Sequence, residues 1–142
     1  MQRGRRLALW LAAIFAASLG LAQAQQNVVQ PGDPILASSA NSPGSEGVAN
    51  AIDGKPTKYL NFDTRQGGKP SGFVVTPSVG VTRVVGISLQ SANDAPERDP
   101  KIVTIEGSND ETIADFASGT WELVTRLDNI PAFTARFQTQ TL

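Results

Sequence analysis

Between Val84 and Asp110 the chain reads VVGISLQSANDAPERDPKIVTIEGSND, and this stretch limits the fold more than any other. Val85, Ile87 and Leu89 alternate with Gly86, Ser88 and Gln90; Val103 and Ile105 alternate with Thr104 and Glu106. A period of two belongs to a strand with one buried face. The intervening SANDAPERDP holds two prolines and four charged residues. It cannot prolong either strand, because proline donates no ladder hydrogen bond and charges resist burial. Gly107-Ser108-Asn109-Asp110 is a turn-forming exit. Strand, polar loop, strand and tight turn describe one side of a β-sandwich.

The remaining segments follow the same grammar. Asp33 to Ala37 is a first short strand, and SSANSPGSEG from Ser38 to Gly47 is a surface loop. Val48, Ala51 and Ile52 share one face of a short helical turn near residues 48–53, with Gly54 as its left-handed stop. Gly72 to Thr76 is a strand that Pro77 ends. Trp121 to Val124 is a strand with Trp121 and Leu123 on one face, Asp128 to Pro131 is a turn, and Phe133, Ala135 and Phe137 alternate as a last strand. Thr112 to Ala117 is either a loop or a helical turn. Many short strands with regular turn signals and no long amphipathic helix predict an all-β sandwich or barrel.

The chain opens MQRGRRLALWLAAIFAASLGLAQA. Three arginines, an apolar run to Leu21 and the small-x-small Ala22-Gln23-Ala24 have the form of a secretory signal peptide over residues 1–24. The apolar run is short for a membrane span. A flexible arm over 25–32 is expected next, then one domain over 33–142. The leader takes three of the twelve basic residues and none of the thirteen acidic ones, which leaves a net charge of −4. With no basic tract, charge-driven binding to nucleic acid or anionic lipid is not expected. The chain has no cysteine, so secretion brings no disulfide framework, and no histidine. Serine and cysteine triads, a histidine base and the common zinc sites are thereby left out. A carboxylate-only glycosidase survives, but only Glu106 has surroundings that could raise an acid's pKa.

AIDGKPTKYLNF, GFVVTPSVG, SANDAPERDPKIVTIEGSND and TWELV, in this order over most of residues 33 to 137, resemble the discoidin or coagulation-factor-V/VIII type C domains of bacterial secreted proteins. The resemblance implies a galactose-binding-like jelly-roll β-sandwich. It implies further strands after FTARFQ, so the closing C-terminal strands are expected to be missing. It also implies a secreted or periplasmic/extracellular, non-catalytic module whose partner is carbohydrate or a cell-surface glycan, bound through loops at one end. The alternative is an adhesion or structural module that binds an envelope protein.

Two groups of residues are candidates for binding. By resemblance, Asp53 and Thr57, with backbone oxygens of Asn50 and Lys55, would hold a structural calcium; a Gly/Pro turn can aim oxygens at the six to eight positions that calcium prefers. Equally, Asp53 and Gly54 can simply cap the helical turn. In the second group, Asn93, Asp94, Glu97 and Arg98 could read a polar ligand, Arg98 as a planar fork. The competing reading is an ion-pair loop in which Arg98 meets Asp94 or Asp99. Trp121, Phe73, Phe133, Phe137, Tyr59 and Phe62 are expected in the core.

Overall fold

A computed structural model of the protein describes residues 26–63, 65–66 and 69–142. The signal-peptide reading of residues 1–24 lies outside the described residues. Strands are numbered in chain order: β1 Ile35–Ala37, β2 Arg65–Gln66, β3 Lys69–Pro70, β4 Phe73–Val75, β5 Ser88–Gln90, β6 Ile102–Gly107, β7 Glu122–Asp128 and β8 Thr139–Thr141. The helical content of the described residues is two single 3-10 turns, Val48–Ala51 and Pro96–Arg98. The class is all-β. The strands pair antiparallel as β1–β4, β2–β3, β5–β8 and β6–β7, four small sheets of two strands each.

The sequence pattern is clearest in β6. Val103 and Ile105 face inward and Thr104 and Glu106 outward, as alternation demands. Its partner β7 carries a bulge. Ile105 pairs with Thr125, and the next residue, Glu106, pairs with Leu123, so Val124 is the extra residue. The bulge shifts the phase of β7. Thr125 and Leu127 turn inward, while Leu123 and Val124 are exposed. Trp121 therefore does not share a buried face with Leu123. It stays half-buried before the strand begins, its indole N–H donating to the Ser118 carbonyl at 2.7 Å. The segment Thr112 to Ala117 is a loop rather than a helical turn. Its Phe116 ring lies against Gly72, where a Cβ would meet the ring at 3.3 Å.

Two other expectations are corrected. The strand expected from Val85 begins only at Ser88, with Ile87 exchanging two backbone hydrogen bonds with Leu142 (3.0 and 2.8 Å). Val81, Val84 and Val85 are left exposed. The expected last strand through Phe133 and Phe137 is a turn, and β8 lies beyond it. The cause is local: the Gln138 side-chain oxygen accepts from the backbone N–H groups of Thr134 (2.8 Å) and Ala135 (3.3 Å). Donors that a strand would offer to a neighbour are taken by a side chain, and the backbone bends. Just before β1 the chain is fastened through one carboxylate. Asp33, buried, accepts from the backbone N–H of Gln30 (2.8 Å) and of Ser78 (3.1 Å).

The core is thin. Among the described residues the buried apolar side chains are Ile130 and Phe133, 8 and 9% exposed. Tyr59 packs edge-on to Phe73 with ring centroids 6.1 Å apart, but Phe73 and Phe137 are partly exposed and Phe62 is exposed, against expectation. Buried polar groups supply much of the remaining order. Ser38 and Ser91 are both buried, and each hydroxyl is hydrogen-bonded, Ser38 accepting from Asn61 and Gly72 and Ser91 both donating and accepting.

Candidate functional site

The polar loop after β5 and the segment after β7 are brought face to face by one serine. Ser91 is 3% exposed. Its hydroxyl donates to the Ala135 carbonyl and accepts from the Gln138 N–H, both at 3.0 Å, and its own N–H reaches the Gln138 carbonyl at 2.9 Å. This clip extends the β5–β8 ladder and sets residues 93–101 against residues 129–136. Phe133, buried, lines the space between them.

Two adjoining clefts open between these segments. One, of about 490 Å³, is lined by Asn93, Asp94, Pro96, Phe133, Thr134, Ala135 and Arg136. The other, of about 300 Å³, is lined by Pro96, Asp99, Pro100, Lys101, Asn129, Ile130, Pro131, Ala132 and Phe133. Pro96 and Phe133 form the saddle that both share.

A chain of ion pairs borders the larger cleft. Arg136 grips Asp99 through two nitrogens, at 2.9 and 2.5 Å, and donates to the Asp94 carbonyl at 3.3 Å. Lys58 lies between two carboxylates, Asp94 at 2.9 Å and Glu46 at 3.1 Å. Arg98 approaches Asp94 at 3.5 Å. The hydrogen bond from Lys58 holds the Asp94 carboxyl below its usual range, and the same bond holds the Lys58 ammonium above its own. The hydrogen bond to Asp99 likewise raises Arg136. Asp94 thus remains an anion and a hydrogen-bond acceptor over the whole physiological range.

The backbone is strained at this place. Among the described residues three that are not glycine have positive φ: Ala95 (48°), Asn129 (58°) and Phe137 (57°). Ala95 and Asn129 belong to the two segments that wall the clefts, and Phe137 directly follows the second. Left-handed backbone costs an alanine or phenylalanine roughly 1–2 kcal/mol, and such residues concentrate where a binding or catalytic geometry has to be held.

Of the four loop residues expected to bind, Asn93 and Asp94 line the larger cleft, and Asn93 makes no hydrogen bond to another described residue. Glu97 and Arg98 lie on the 3-10 turn, exposed and off the cleft wall. Arg98 does pair with Asp94, as the ion-pair reading expects, but Asp99 pairs with Arg136 instead. Lys58, Ser91, Asn129, Phe133 and Arg136 join the site without any signal in the sequence. Ser91 opens the loop itself, the others come from chain positions far from it, and Arg136 sits inside an alternation that reads as strand.

At the other candidate, Asp53 accepts from the Thr57 hydroxyl at 2.5 Å and from the Lys55 N–H at 2.8 Å. The first of these bonds is the main cause that lowers the Asp53 carboxyl. The Asn50 amide donates to the carbonyls of Ser45 (2.9 Å) and Lys58 (2.8 Å). The loop brings Asp53 and Thr57 together, as a cation site needs, but offers one carboxylate whose two oxygens both already accept hydrogen bonds. Among the described residues no three acidic, histidine or cysteine side chains converge to hold a metal. No described helix is long and apolar enough to cross a membrane. Comparison of the chain with family models, with curated proteins and with solved structures gives no match.

Proposed function

We propose that this protein is a secreted, non-catalytic carbohydrate-binding module of the discoidin type, built as a galactose-binding-like jelly roll, that holds its ligand in the clefts between residues 93–101 and 129–136. One observation carries the reading: the two buried apolar side chains, Ile130 and Phe133, both line these clefts, together with the left-handed Asn129. The walls combine what a sugar requires. An amide, a carboxylate and a guanidinium address hydroxyls, and Pro96, Ala135 and Phe133 offer apolar surface to a ring face. The secreted location rests on the leader sequence.

The state of Asp94 does not suit the general acid of a glycosidase. A glycosidase acid needs a raised pKa, whereas Lys58 lowers that of Asp94. The reading is tested on a glycan array with the purified protein and its Asn93→Ala variant. Glycan binding that Asn93→Ala abolishes, with the melting temperature unchanged, supports it. Binding to no glycan at all rejects it.

A second reading is an adhesion or structural module that pairs with an envelope protein. It is favoured by Val81, Val84 and Val85, exposed on a segment that makes no ladder hydrogen bonds to other described residues, the kind of edge that accepts a strand from a partner. A pull-down of an envelope protein that Val85→Lys abolishes would select it. A structural calcium at Asp53 and Thr57 is a separate part of the proposal. It requires the Thr57 hydroxyl to turn its lone pairs toward the ion and carbonyls such as those of Asn50 and Lys55 to join. A melting temperature that calcium raises and a chelator lowers would establish it.

A further inference from the structure

The two clefts are not equivalent halves of one bowl. They meet at the Pro96–Phe133 saddle, and each has its own polar reader. Asn93 lines the larger cleft and Asn129 the smaller. Neither side-chain amide donates or accepts a hydrogen bond within the described residues, although most polar side chains around them are engaged. Thr134 and Ala135 are tied to Gln138, Arg136 to Asp99, and Asp94 to Lys58. Asn129 is moreover held at φ 58°, where a short amide side chain is tolerated better than most others. An amide presents two donors and one acceptor, a match for neighbouring hydroxyls on a sugar ring. Each cleft also has a proline wall: Pro96 for both, and Pro100 and Pro131 for the smaller one. A rigid apolar wall facing a free amide is thus repeated on both sides of the saddle.

From this repetition we infer that the ligand is a saccharide of at least two units lying across the Pro96–Phe133 saddle, one unit read by Asn93 and the next by Asn129. This rests on the carbohydrate reading above and adds the length of the ligand and the residue that reads its second unit. Lys101 stands at the smaller cleft with no carboxylate within salt-bridge distance among the described residues, and is placed to donate to the second unit. Asn129 is here a specificity-determining residue for ligand length, not for binding as such.

The test is calorimetric titration with gluco-, xylo-, chito- and galacto-oligosaccharides of one to four units. Three proteins are compared: the wild type, Asn129→Gly and Ala132→Trp. Glycine keeps the left-handed backbone while removing the amide; tryptophan fills the smaller cleft from its exposed rim. The wild type is expected to gain at least tenfold in affinity from one unit to two in the series it binds. Both variants should lose that gain, with the melting temperature unchanged. If one unit binds as tightly as two, or if both variants keep the gain, the two-unit inference fails and the carbohydrate reading stands. If no saccharide of any length binds, both fail together.

Discussion

The region around Asn61 and the cleft around Asp94 are held shut by different chemistry. At Asn61 the work is done by neutral groups. Its amide donates to the Ser38 hydroxyl (3.1 Å) and the Tyr59 hydroxyl (3.0 Å), and its oxygen accepts from the Ser39 hydroxyl (2.8 Å) and the Asp63 N–H (2.9 Å). Ser38 in turn accepts from the Gly72 N–H at 3.2 Å, which fastens the loop to the start of β4. No residue with positive φ lies in this network. At Asp94 the fasteners are ion pairs, the backbone is strained, and two amides are left with nothing to bind. One region spends its hydrogen-bonding capacity on its own structure, and the other keeps part of it free. Lys58 joins the two, because it lies in the chain before the Asn61 network and reaches across to Asp94.

The largest effect that would sharpen this contrast comes from the buried ring that lines both clefts. Phe133→Ala removes one of two buried apolar side chains, and a substitution of this kind costs about 3–5 kcal/mol. Urea unfolding should show the loss, and in so thin a core a non-cooperative transition is the extreme form of it. Next come the two polar fasteners. Asn61→Ala and Ser91→Ala each strand several partners, which costs about 1–3 kcal/mol. The difference between them is functional: Ser91→Ala should weaken ligand binding because it frees the cleft walls, and Asn61→Ala should leave binding intact. Equal losses of binding would erase the distinction between the regions.

Salt and pH separate the two regions further. Ion pairs near the surface are screened at high ionic strength, so the destabilisation caused by Asp94→Asn should shrink in 1 M salt, whereas that caused by Asn61→Ala should not. The sign with pH follows from the shifts. Asp94 is lowered, so its contribution is present above the ordinary carboxylate range and fades as pH falls through its depressed value. Lys58 is raised, so its contribution is present below its ordinary value and fades as pH rises through the elevated one. Asp33, Asp53 and Asp63 are also lowered, by hydrogen bonds chiefly from Gln30, Thr57 and Asn41 respectively, and add to the loss in acid. Melting temperature against pH should therefore fall below about pH 4, and less steeply in Asp94→Asn.

The smallest effect tests the strain itself. Ala95→Gly removes a Cβ from a left-handed residue and should stabilise the protein by up to about 1 kcal/mol in the same unfolding assay. If strain shapes the cleft, ligand affinity falls as stability rises. In Asn61→Ala no such trade is expected.

Legibility in the sequence followed the range of the interactions. The 3-10 turn at Val48–Ala51, the inward phase of Val103 and Ile105 and the end of β4 before Pro77 were all readable, because each is fixed by neighbours a few residues away. The left-handed Gly54 was readable for the same reason. Where a single side chain overrules a periodic pattern, reading failed. The bulge in β7 turned Leu123 outward, and the Gln138 amide bent an alternating segment into a turn. In the site, Asn93 and Asp94 were legible as a polar loop, but Arg136, Lys58 and Asn129 were not.

By itself, then, the sequence determined the all-β class, the absence of histidine and cysteine chemistry, and the polar loop between β5 and β6. These follow from composition and from a two-residue period, which are local properties. Only the tertiary structure decided that Ser91 clips residues 135–138 to that loop, that Phe133 lines the space between them, and that Asn93 and Asn129 flank one saddle. Those are contacts between segments some 40 residues apart, and no local pattern encodes which distant partner a buried hydroxyl or a free amide will meet.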